Sequence, residues 1–515
     1  MTKVTSLRHA IFMNQLKAGT ALSYINIAVN VIVNLLYVPL LLFYIGQSEY
    51  GLYKLLGSFI AYFGLMDFGL NSAVVRFYTK YLALKEYRKM ENLLGMAAYF
   101  YVGIIAIVFV CSCAVYYFLG DIFGGAMTAE ELEEAHWIFA VLAVNVMASF
   151  GGQVFSAAII SHEKFILLKT SALLSSLLRP VLVVVLLQIY PKAIMVVLAQ
   201  TFFNILTVLV NVLYAWKKLD IRIHYYGWDS AMFGEIRKLA GSVFIVFVVD
   251  QIFWQTNQVV LGMYAGTAVV AVYAVAAQIY MNYYTFSTVI PGMFGPKITS
   301  MVALGASNRE LSEHFIRVGR LQYLLTSLLL CGFLVFGREF ISLWAGDSFQ
   351  DAYWITLLII CPFTIDLIQN LGLSILQAQN RYGFRALVYF CVGALNLLLV
   401  VPVAKTYGGI GCAAVTGMMM FLGNGIVMNY YYYKHIGLDI CLFWQNIARI
   451  SLCLLPVTAL GEALNLVLTG EGLAWLGVKI AIFVLLYAAC LYRFAMNDYE
   501  RGLLAGIWQR MRRHD

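Results

Sequence analysis

The amino-acid sequence predicts an all-α polytopic membrane protein with about fourteen transmembrane helices, and its composition, its apolar runs and the placement of its basic residues support this fold class. Of the 515 residues, 62% are hydrophobic and 12% are charged, and the mean hydropathy is +0.82. Soluble domains contain about 45–50% apolar and about 25% charged residues. The chain therefore has too few polar side chains to cover a water-soluble globule.

Polar residues, glycines and prolines divide the chain into fourteen apolar segments, most of them close to the roughly 20 residues that cross a bilayer as a helix. In chain order the predicted spans cover residues 18–45, 52–75, 93–119, 136–160, 170–189, 193–215, 241–264, 268–295, 321–341, 352–376, 386–404, 410–433, 450–468 and 473–492. Grouping them predicts an N-terminal lobe at 1–217, an amphipathic cytoplasmic linker at 218–240, a C-terminal lobe at 241–435, and two final helices with a basic tail at 436–515.

The basic residues predict the orientation of these spans. With the N-terminus in the cytoplasm, the inward segments hold 28 of the 34 Lys and Arg residues. A miscounted span would invert every later loop and remove this asymmetry, which is the usual bias of cytoplasmic loops. We therefore expect an even number of spans and both termini in the cytoplasm.

Several function classes lack the residues that they need. No inward segment exceeds about 25 residues, and no GxxxxGK[ST] loop occurs that would bind ATP. The nine cysteines form no CxxC motif or Cys/His cluster with metal spacing, so we expect no metal and no other cofactor. A membrane glycosyltransferase would need a sizeable outer loop, and the longest has about 16 residues. We expect a transport protein without catalytic residues and without a nucleic-acid partner.

The two halves show a faint internal repeat. Residues 136–217 align with 353–434 at a constant offset, and GQSEYGLY at 46–53 aligns with GTAVVAVY at 266–273. Parallel repeats are typical of transporters whose halves move about a central cavity. The repeat predicts two pseudo-symmetric six-helix lobes with a wet cavity between them, plus two C-terminal helices.

The first hairpin carries the most distinctive motif. It contains a Gly-x-x-Glu-Tyr-Gly turn at 46–51, an Asp-Phe-Gly-Leu run at 67–70 and then Arg76. Together with the fourteen spans and the later turn at 266–273, this hairpin resembles the polysaccharide transporter family. These are the O-antigen and capsule repeat-unit flippases of the superfamily that also contains the multidrug and toxin extrusion antiporters and the lipid II flippase.

The resemblance implies a flippase of the bacterial cytoplasmic (inner) membrane. Such a protein moves a polyprenyl-pyrophosphate-linked oligosaccharide, an O-antigen, capsule or exopolysaccharide repeat unit, from the cytoplasmic to the periplasmic leaflet by alternating access. It implies a V-shaped cavity, a lipid-tail groove formed by the two C-terminal helices, and as partners the lipid-linked oligosaccharide, membrane lipids and polysaccharide polymerase machinery. Proton or Na⁺ coupling or downstream consumption of the substrate would drive transport.

Ionisable residues within spans are candidate functional groups, because a charge at the bilayer centre costs at least about 2.5–3.5 kcal/mol on insertion scales. Asp67, Asp250 and Asp366 are candidates for ion coupling. The alternative for Asp250 is a carboxylate capped by a neighbouring helix, and the alternative for Asp67 is helix packing or a pair with Arg76. They also leave open a second function, a cation-coupled multidrug antiporter of the same superfamily. We expect Glu462 and Lys479 to lie near helix ends or to pair across the last two spans.

Substrate-binding candidates come from polar stripes and from cations. Hydrogen-bonding groups recur along the first, seventh and eighth spans, where they serve as cavity lining for sugars or as contacts between helices. Arg179 precedes Pro180 and either satisfies a freed carbonyl or binds sugar or phosphate, and Arg76 and other cations at inner helix ends would bind a pyrophosphate or lipid headgroups. The predicted cavity residues are Asn26, Asn30, Asn34, Arg76, Arg179, Asp250, Gln255, Gln278 and Asn282.

Overall fold

The computed structural model describes residues 2–503, and side chains from residue 25 onward together with residue 22, except those of 238, 242, 246, 289, 290, 292 and 293. The described residues form helices and no strand. They are α1 (Thr2–Ala61), α2 (Leu70–Leu84), α3 (Tyr87–Phe123), α4 (Ala129–Ser161), α5 (Phe165–Ile189), α6 (Ala193–Leu219), α7 (Ser230–Tyr264), α8 (Thr267–Ala303), α9 (Asn308–Ala345), α10 (Asp351–Ile368), α11 (Asn370–Ala378), α12 (Tyr382–Met420), α13 (Met428–Tyr431), α14 (Ile440–Val467) and α15 (Leu473–Cys490).

Ten stretches of the described chain are long and apolar enough to cross a membrane. Two of them, Ile25–Leu84 and Tyr382–Ile436, contain two predicted spans each. Each is interrupted by a glycine with positive φ, Gly46 at 75° and Gly408 at 54°, a conformation that other residues seldom adopt. Helices α7 and α8 cover the remaining two spans. Every predicted span thus coincides with helix, and the all-α polytopic fold class is confirmed.

The Asp-Phe-Gly-Leu run breaks the second span. A 3-10 helix covers Tyr62–Asp67, Phe68 and Gly69 take left-handed φ angles of 51° and 73°, and α2 begins at Leu70. A Cβ on Gly69 would lie 2.8 Å from the carbonyl oxygen of Ala240. Only glycine fits this position, because both the φ angle and the close backbone approach exclude a side chain.

The helices form two compact units, of which the first ends at Ala274 and the second begins at Val275, within α8. In the first unit the largest fully buried side chains are aromatic and include Tyr50, Phe139 and Tyr273. Gly51 of α1 packs directly against the backbone carbonyl of Thr267, where any Cβ would collide. Small residues at such crossings let helix backbones approach closely in membranes.

The second unit has two hydrophobic clusters. One gathers Phe315, Ile375, Tyr432 and Phe443. The other joins Phe336 of α9 to α14 and α15, which contribute residues such as Leu454 and Phe483. The two C-terminal helices are therefore packed on α9 as an integral part of this unit.

Candidate functional site

The charged side chains of the spans define the candidate site, because each must be solvated by protein, water or ligand. In the second unit, Arg320 Nε donates to Glu500 Oε1 at 2.7 Å, and Arg320 Nη2 donates to Oε2 at 2.9 Å. The two side chains are 6% and 2% exposed. This bidentate ion pair ties α9 to the segment that follows α15, and the guanidinium also donates to Asn446 Oδ1 and to the carbonyl oxygen of Ala495.

Two further cations of the second unit have carboxylate partners. Arg385 Nη2 lies 3.4 Å from Oδ1 of Asp366, a predicted ion-coupling residue, and both side chains are largely buried. Lys479 Nζ donates to Glu339 Oε1 and Oε2 at 3.0 and 2.9 Å. Of the two alternatives for Lys479, the pair with Glu462 of the neighbouring span is wrong, because the lysine binds Glu339 of α9 instead. An ion coupling role for Asp366 would require it to exchange Arg385 for the ion.

A cluster of three charged side chains lies at one end of the first unit. At this end α1 breaks at Gly46 and α5 ends at Ile189, and we call it the Gly46 end. Lys192 Nζ donates to Glu49 Oε1 at 2.7 Å and to Glu134 Oε2 at 3.0 Å. Glu49 Oε2 also accepts from the backbone N–H of Ala193 at 2.9 Å. Hydrogen bonds to Glu49 and then to Glu134 raise the pKa of Lys192 above its ordinary value. The glutamate of the hairpin motif thus fastens α1 to the start of α6.

Lys54 and Arg179 are half-buried cations of the first unit with a different environment. Lys54 Nζ lies 5.4 Å from the ring centroid of Tyr50 and 5.3 Å from that of Tyr53. The Nε of Arg179 is buried without a hydrogen-bond partner. Among the described residues, no carboxylate lies within ion-pair distance of either cation.

The asparagine stripe of α1 faces α5. Asn26 Nδ2 donates to the carbonyl oxygen of Lys169 at 2.9 Å, and Asn30 Oδ1 accepts from Ser176 Oγ at 2.9 Å. Asn30 is nevertheless exposed and Asn34 is half-buried. Contact between helices is therefore one role of this stripe, and cavity lining stays a prediction for the exposed faces.

The polar residues of α7 form a similar contact with the second part of α1. Gln258 Oε1 accepts from Ser58 Oγ at 2.8 Å, and Thr256 Oγ1 lies 2.6 Å from Tyr62 Oη. Asp250 is exposed and Gln255 is half-buried on the same helix. Polar residues of α7 therefore serve, at Thr256 and Gln258, as contacts to the first hairpin.

The other predicted site residues lie apart from these clusters. Arg76 is exposed on α2, and Gln278 and Asn282 are half-buried on α8. Asp67 accepts from Tyr101 Oη at 2.8 Å and from the backbone N–H of Asn71 at 3.3 Å. These two bonds give Asp67 a structural task at the start of α2, and its ion coupling role stays a prediction.

Sequence reasoning missed Lys54 and the Glu49–Glu134–Lys192 cluster. Lys54 and Lys192 are two of the six basic residues that the predicted topology places outside the inward segments, and this placement was the available signal. The structure gives Lys192 two carboxylate partners, whereas Lys54 lies beside tyrosine rings.

Comparison with known proteins gives a family and a fold. A family described as "polysaccharide biosynthesis protein" matches residues 16–295. The structure resembles the lipid II flippase MurJ in an inward closed conformation, with a TM-score of 0.72, 16% identity, and coverage of 92% of this chain and 97% of that chain. It also resembles an inward-facing multidrug resistance MATE family transporter of the MOP superfamily, with a TM-score of 0.62, 12% identity, and coverage of 81% and 96%. No curated protein sequence matches the chain.

Proposed function

Because the chain belongs to the polysaccharide biosynthesis protein family, we propose that it is a flippase for a polyprenyl-pyrophosphate-linked oligosaccharide, an O-antigen, capsule or exopolysaccharide repeat unit. The substrate moves from the cytoplasmic to the periplasmic leaflet of a bacterial inner membrane. The family match over residues 16–295 carries this proposal, and the likeness of 92% of the chain to the fold of a lipid flippase supports it.

The mechanism requires a polar path through an apolar body. Asp250, Gln255, Gln278 and Asn282 are polar residues of the seventh and eighth spans that remain exposed or half-buried, and such residues are costly unless they face protein, water or ligand. Alternating access opens this path to one leaflet at a time. In our proposal both termini are cytoplasmic, so the Gly46 end of the first unit faces the periplasm.

The second candidate function is a cation-coupled multidrug antiporter. The exposed carboxylate of Asp250 and the likeness to the MATE fold favour it. The matched family describes polysaccharide biosynthesis, and the carboxylates of Asp67 and Asp366 are already engaged by protein groups. We therefore rank the antiporter second.

In the proposed flippase, polysaccharide polymerase machinery is the partner that consumes the delivered substrate.

Deletion of the gene in its host tests the proposal. Lipid-linked glycan should accumulate on the cytoplasmic side of the membrane, and a plasmid copy of the gene should reverse this accumulation. The measurement is the fraction of lipid-linked glycan that an impermeant periplasmic probe labels in intact cells. An unchanged fraction, together with increased sensitivity to cationic drugs, would replace the flippase by the antiporter.

A further inference from the structure

An aromatic pocket lies on the surface of the first unit, between the start of α3 and the non-helical segment 220–229 that joins α6 to α7. Its volume is about 260 Å³, and it is lined by Met96, Tyr99, Phe100, Tyr225 and Trp228. Met96 is buried, whereas Tyr99 is 66% exposed and Trp228 is 55% exposed. The pocket therefore has a closed floor and an open mouth, and none of the candidate transport residues lines it.

Hydrogen bonds and a close backbone approach hold this segment against α3. The buried side chain of Asn92 accepts from the backbone N–H of Tyr226 at 2.8 Å and donates to the carbonyl oxygen of Gly227 at 3.1 Å. A Cβ on Gly95 would lie 2.7 Å from the carbonyl oxygen of His224, so the glycine lets the two backbones approach. Because buried polar groups are satisfied on both sides of the contact, the pocket is a built part of the fold.

Contacts between rings fix the walls of the pocket. Tyr99 and Tyr225 meet edge to face with their centroids 4.9 Å apart. The ring centroid of Phe100 lies 5.8 Å from that of Trp228 and 5.5 Å from that of Phe233, on which it stacks. The walls therefore present apolar ring surface, which suits a hydrocarbon chain.

The mouth of the pocket continues into an exposed apolar face of α3. This helix is long and apolar enough to cross a membrane, and exposed apolar side chains follow Tyr99 at Val102, Phe109 and Tyr117. Residues at this spacing share one face of a helix. An exposed apolar face of a spanning helix contacts lipid, so the pocket opens toward the acyl chains of the bilayer.

Cations surround the polar end of this surface. Arg88 is exposed, its guanidinium carbon lies 5.0 Å from the ring centroid of Tyr226, and among the described residues no carboxylate is within ion-pair distance of it. Glu91, one turn further along α3, accepts from the Tyr226 hydroxyl at 2.6 Å. Residues 85–91 and 217–224 together contain six Lys or Arg and three Asp or Glu. This positive excess attracts anionic lipid headgroups.

We propose that the aromatic pocket binds a membrane phospholipid with an anionic headgroup. Arg88 donates to the phosphate, for which a guanidinium has the matching geometry. Met96 lies eight residues after Arg88 on α3, about 12 Å by helix rise, so an acyl chain and not the glycerol reaches the pocket. There the chain lies between Tyr99 and Trp228. The bound lipid stabilises the contact between α3 and the segment before α7, and this role does not depend on the identity of the transported molecule.

Native mass spectrometry of the purified full-length protein in detergent tests the headgroup contact. The probes are dioleoylphosphatidylglycerol, which is anionic, and dioleoylphosphatidylcholine, which has the same acyl chains and no net charge. The wild-type protein should bind the anionic lipid at least about tenfold more tightly. Arg88→Gln should abolish this preference. Arg309→Gln, which removes an exposed cation of the second unit, should preserve it. Arg88→Lys retains the charge and should retain the preference, so it also serves if Arg88→Gln does not fold.

Two variants of α3 test the acyl-chain contact in the same experiment. Tyr99→Ala should weaken the binding of both lipids at least about fivefold, because it removes a wall of the pocket. Tyr117→Ala removes an 80% exposed ring from the same helix outside the pocket and should change neither affinity.

Three results would overturn the proposal. The wild-type protein could bind both lipids equally, Arg88→Gln could keep the preference for the anionic lipid, or Tyr99→Ala could behave as Tyr117→Ala does. Competition with undecaprenyl phosphate identifies a different occupant. If this compound displaces phosphatidylglycerol at an equal concentration, the pocket holds the lipid of a transported substrate, and the proposed phospholipid site is wrong.

Discussion

Cations within the helices of the two units are stabilised in different ways. In the second unit, Arg320 and Lys479 are each 6% exposed and donate to carboxylates at 3.0 Å or less. In the first unit, Lys54 is half-buried beside the rings of Tyr50 and Tyr53, and neither Lys54 nor Arg179 has a described carboxylate at ion-pair distance. An internal carboxylate neutralises its cation and joins two helices, whereas a tyrosine ring leaves the charge uncompensated.

The difference is not a general shortage of acidic residues in the first unit. Lys192 binds both Glu49 and Glu134 there, and Glu49 lies five residues before Lys54 on α1, about 7.5 Å by helix rise. The first unit thus has an ion-paired end and unpaired cations deeper in the spans. Four substitutions sharpen this comparison, from the largest expected effect on stability to the smallest.

Removal of the Glu500 charge should have the largest effect. Glu500→Gln leaves the Arg320 guanidinium buried beside a neutral amide, and loss of one partner from a buried pair costs about 3–5 kcal/mol. We expect a large decrease in the free energy of unfolding of the detergent-solubilised protein, measured by thermal or denaturant unfolding.

Asp498 provides a matched control on the same segment. Its side chain is fully exposed and lies 4.0 Å from Arg501, at the limit of an ion pair, so Asp498→Asn should leave the stability unchanged. Equal stabilities of Glu500→Gln and the wild type would show that the C-terminal segment does not clamp α9.

Substitution of Lys479 should have a smaller effect. Its partner Glu339 is 27% exposed, so water can solvate this carboxylate once the lysine is gone. We expect Lys479→Met to cost about 1–3 kcal/mol in unfolding free energy, less than a fully buried pair loses. The double variant Lys479→Met with Glu339→Gln should recover part of this loss, because no unpaired charge remains. If the double variant is less stable than Lys479→Met, the loss of stability in Lys479→Met does not come from the broken ion pair.

Substitution of Lys192 should show a dependence on pH. Its pKa is raised in the folded state by Glu49 and Glu134, so its stabilising contribution is complete below its ordinary value and is lost only as the pH rises through the raised one. Lys192→Met leaves two neighbouring carboxylates unneutralised. We expect a loss of about 1 kcal/mol at pH 8, since the lysine is 38% exposed.

That loss should shrink toward pH 5, because burial raises the pKa of Glu134, so this carboxyl takes up a proton as the pH falls and its repulsion of Glu49 decreases. Lys89→Met, which removes the exposed partner of Glu86, is the control and should show no such dependence. The measurement is the Tm of both variants and the wild type at pH 5 and pH 8. If Lys192→Met lowers the Tm equally at pH 5 and pH 8, the variant has lost the packing of the lysine side chain and not a charge interaction.

Much of the fold followed from the sequence, because spans depend on local hydropathy and loop charge alone. The pairing of charges did not, since partners such as Arg320 and Glu500 lie 180 residues apart. Lys479 shows the same limit: the sequence offers Glu462 of the neighbouring span as a partner, whereas the contact is with Glu339. Arg179 was identified as a candidate because Pro180 follows it. Lys54 could be recognised only from its packing beside Tyr50 and Tyr53 in the structure.

Gln200→Glu should convert the unpaired cations of the first unit into an ion-paired arrangement like that of the second. Gln200 Oε1 already accepts from Tyr53 Oη at 3.2 Å, and the Tyr53 ring centroid lies 5.3 Å from Lys54 Nζ. The new carboxylate would act as an internal anion, so stability should change by no more than about 1 kcal/mol. In the Lys54→Met background the same substitution should be more destabilising, because the new carboxylate then lacks this cation, and the Tm of the single and double variants measures the difference. Gln350→Glu adds an equal charge in the second unit and should have the same effect in both backgrounds. An equal effect of Gln200→Glu in both backgrounds would show that its carboxylate does not pair with Lys54.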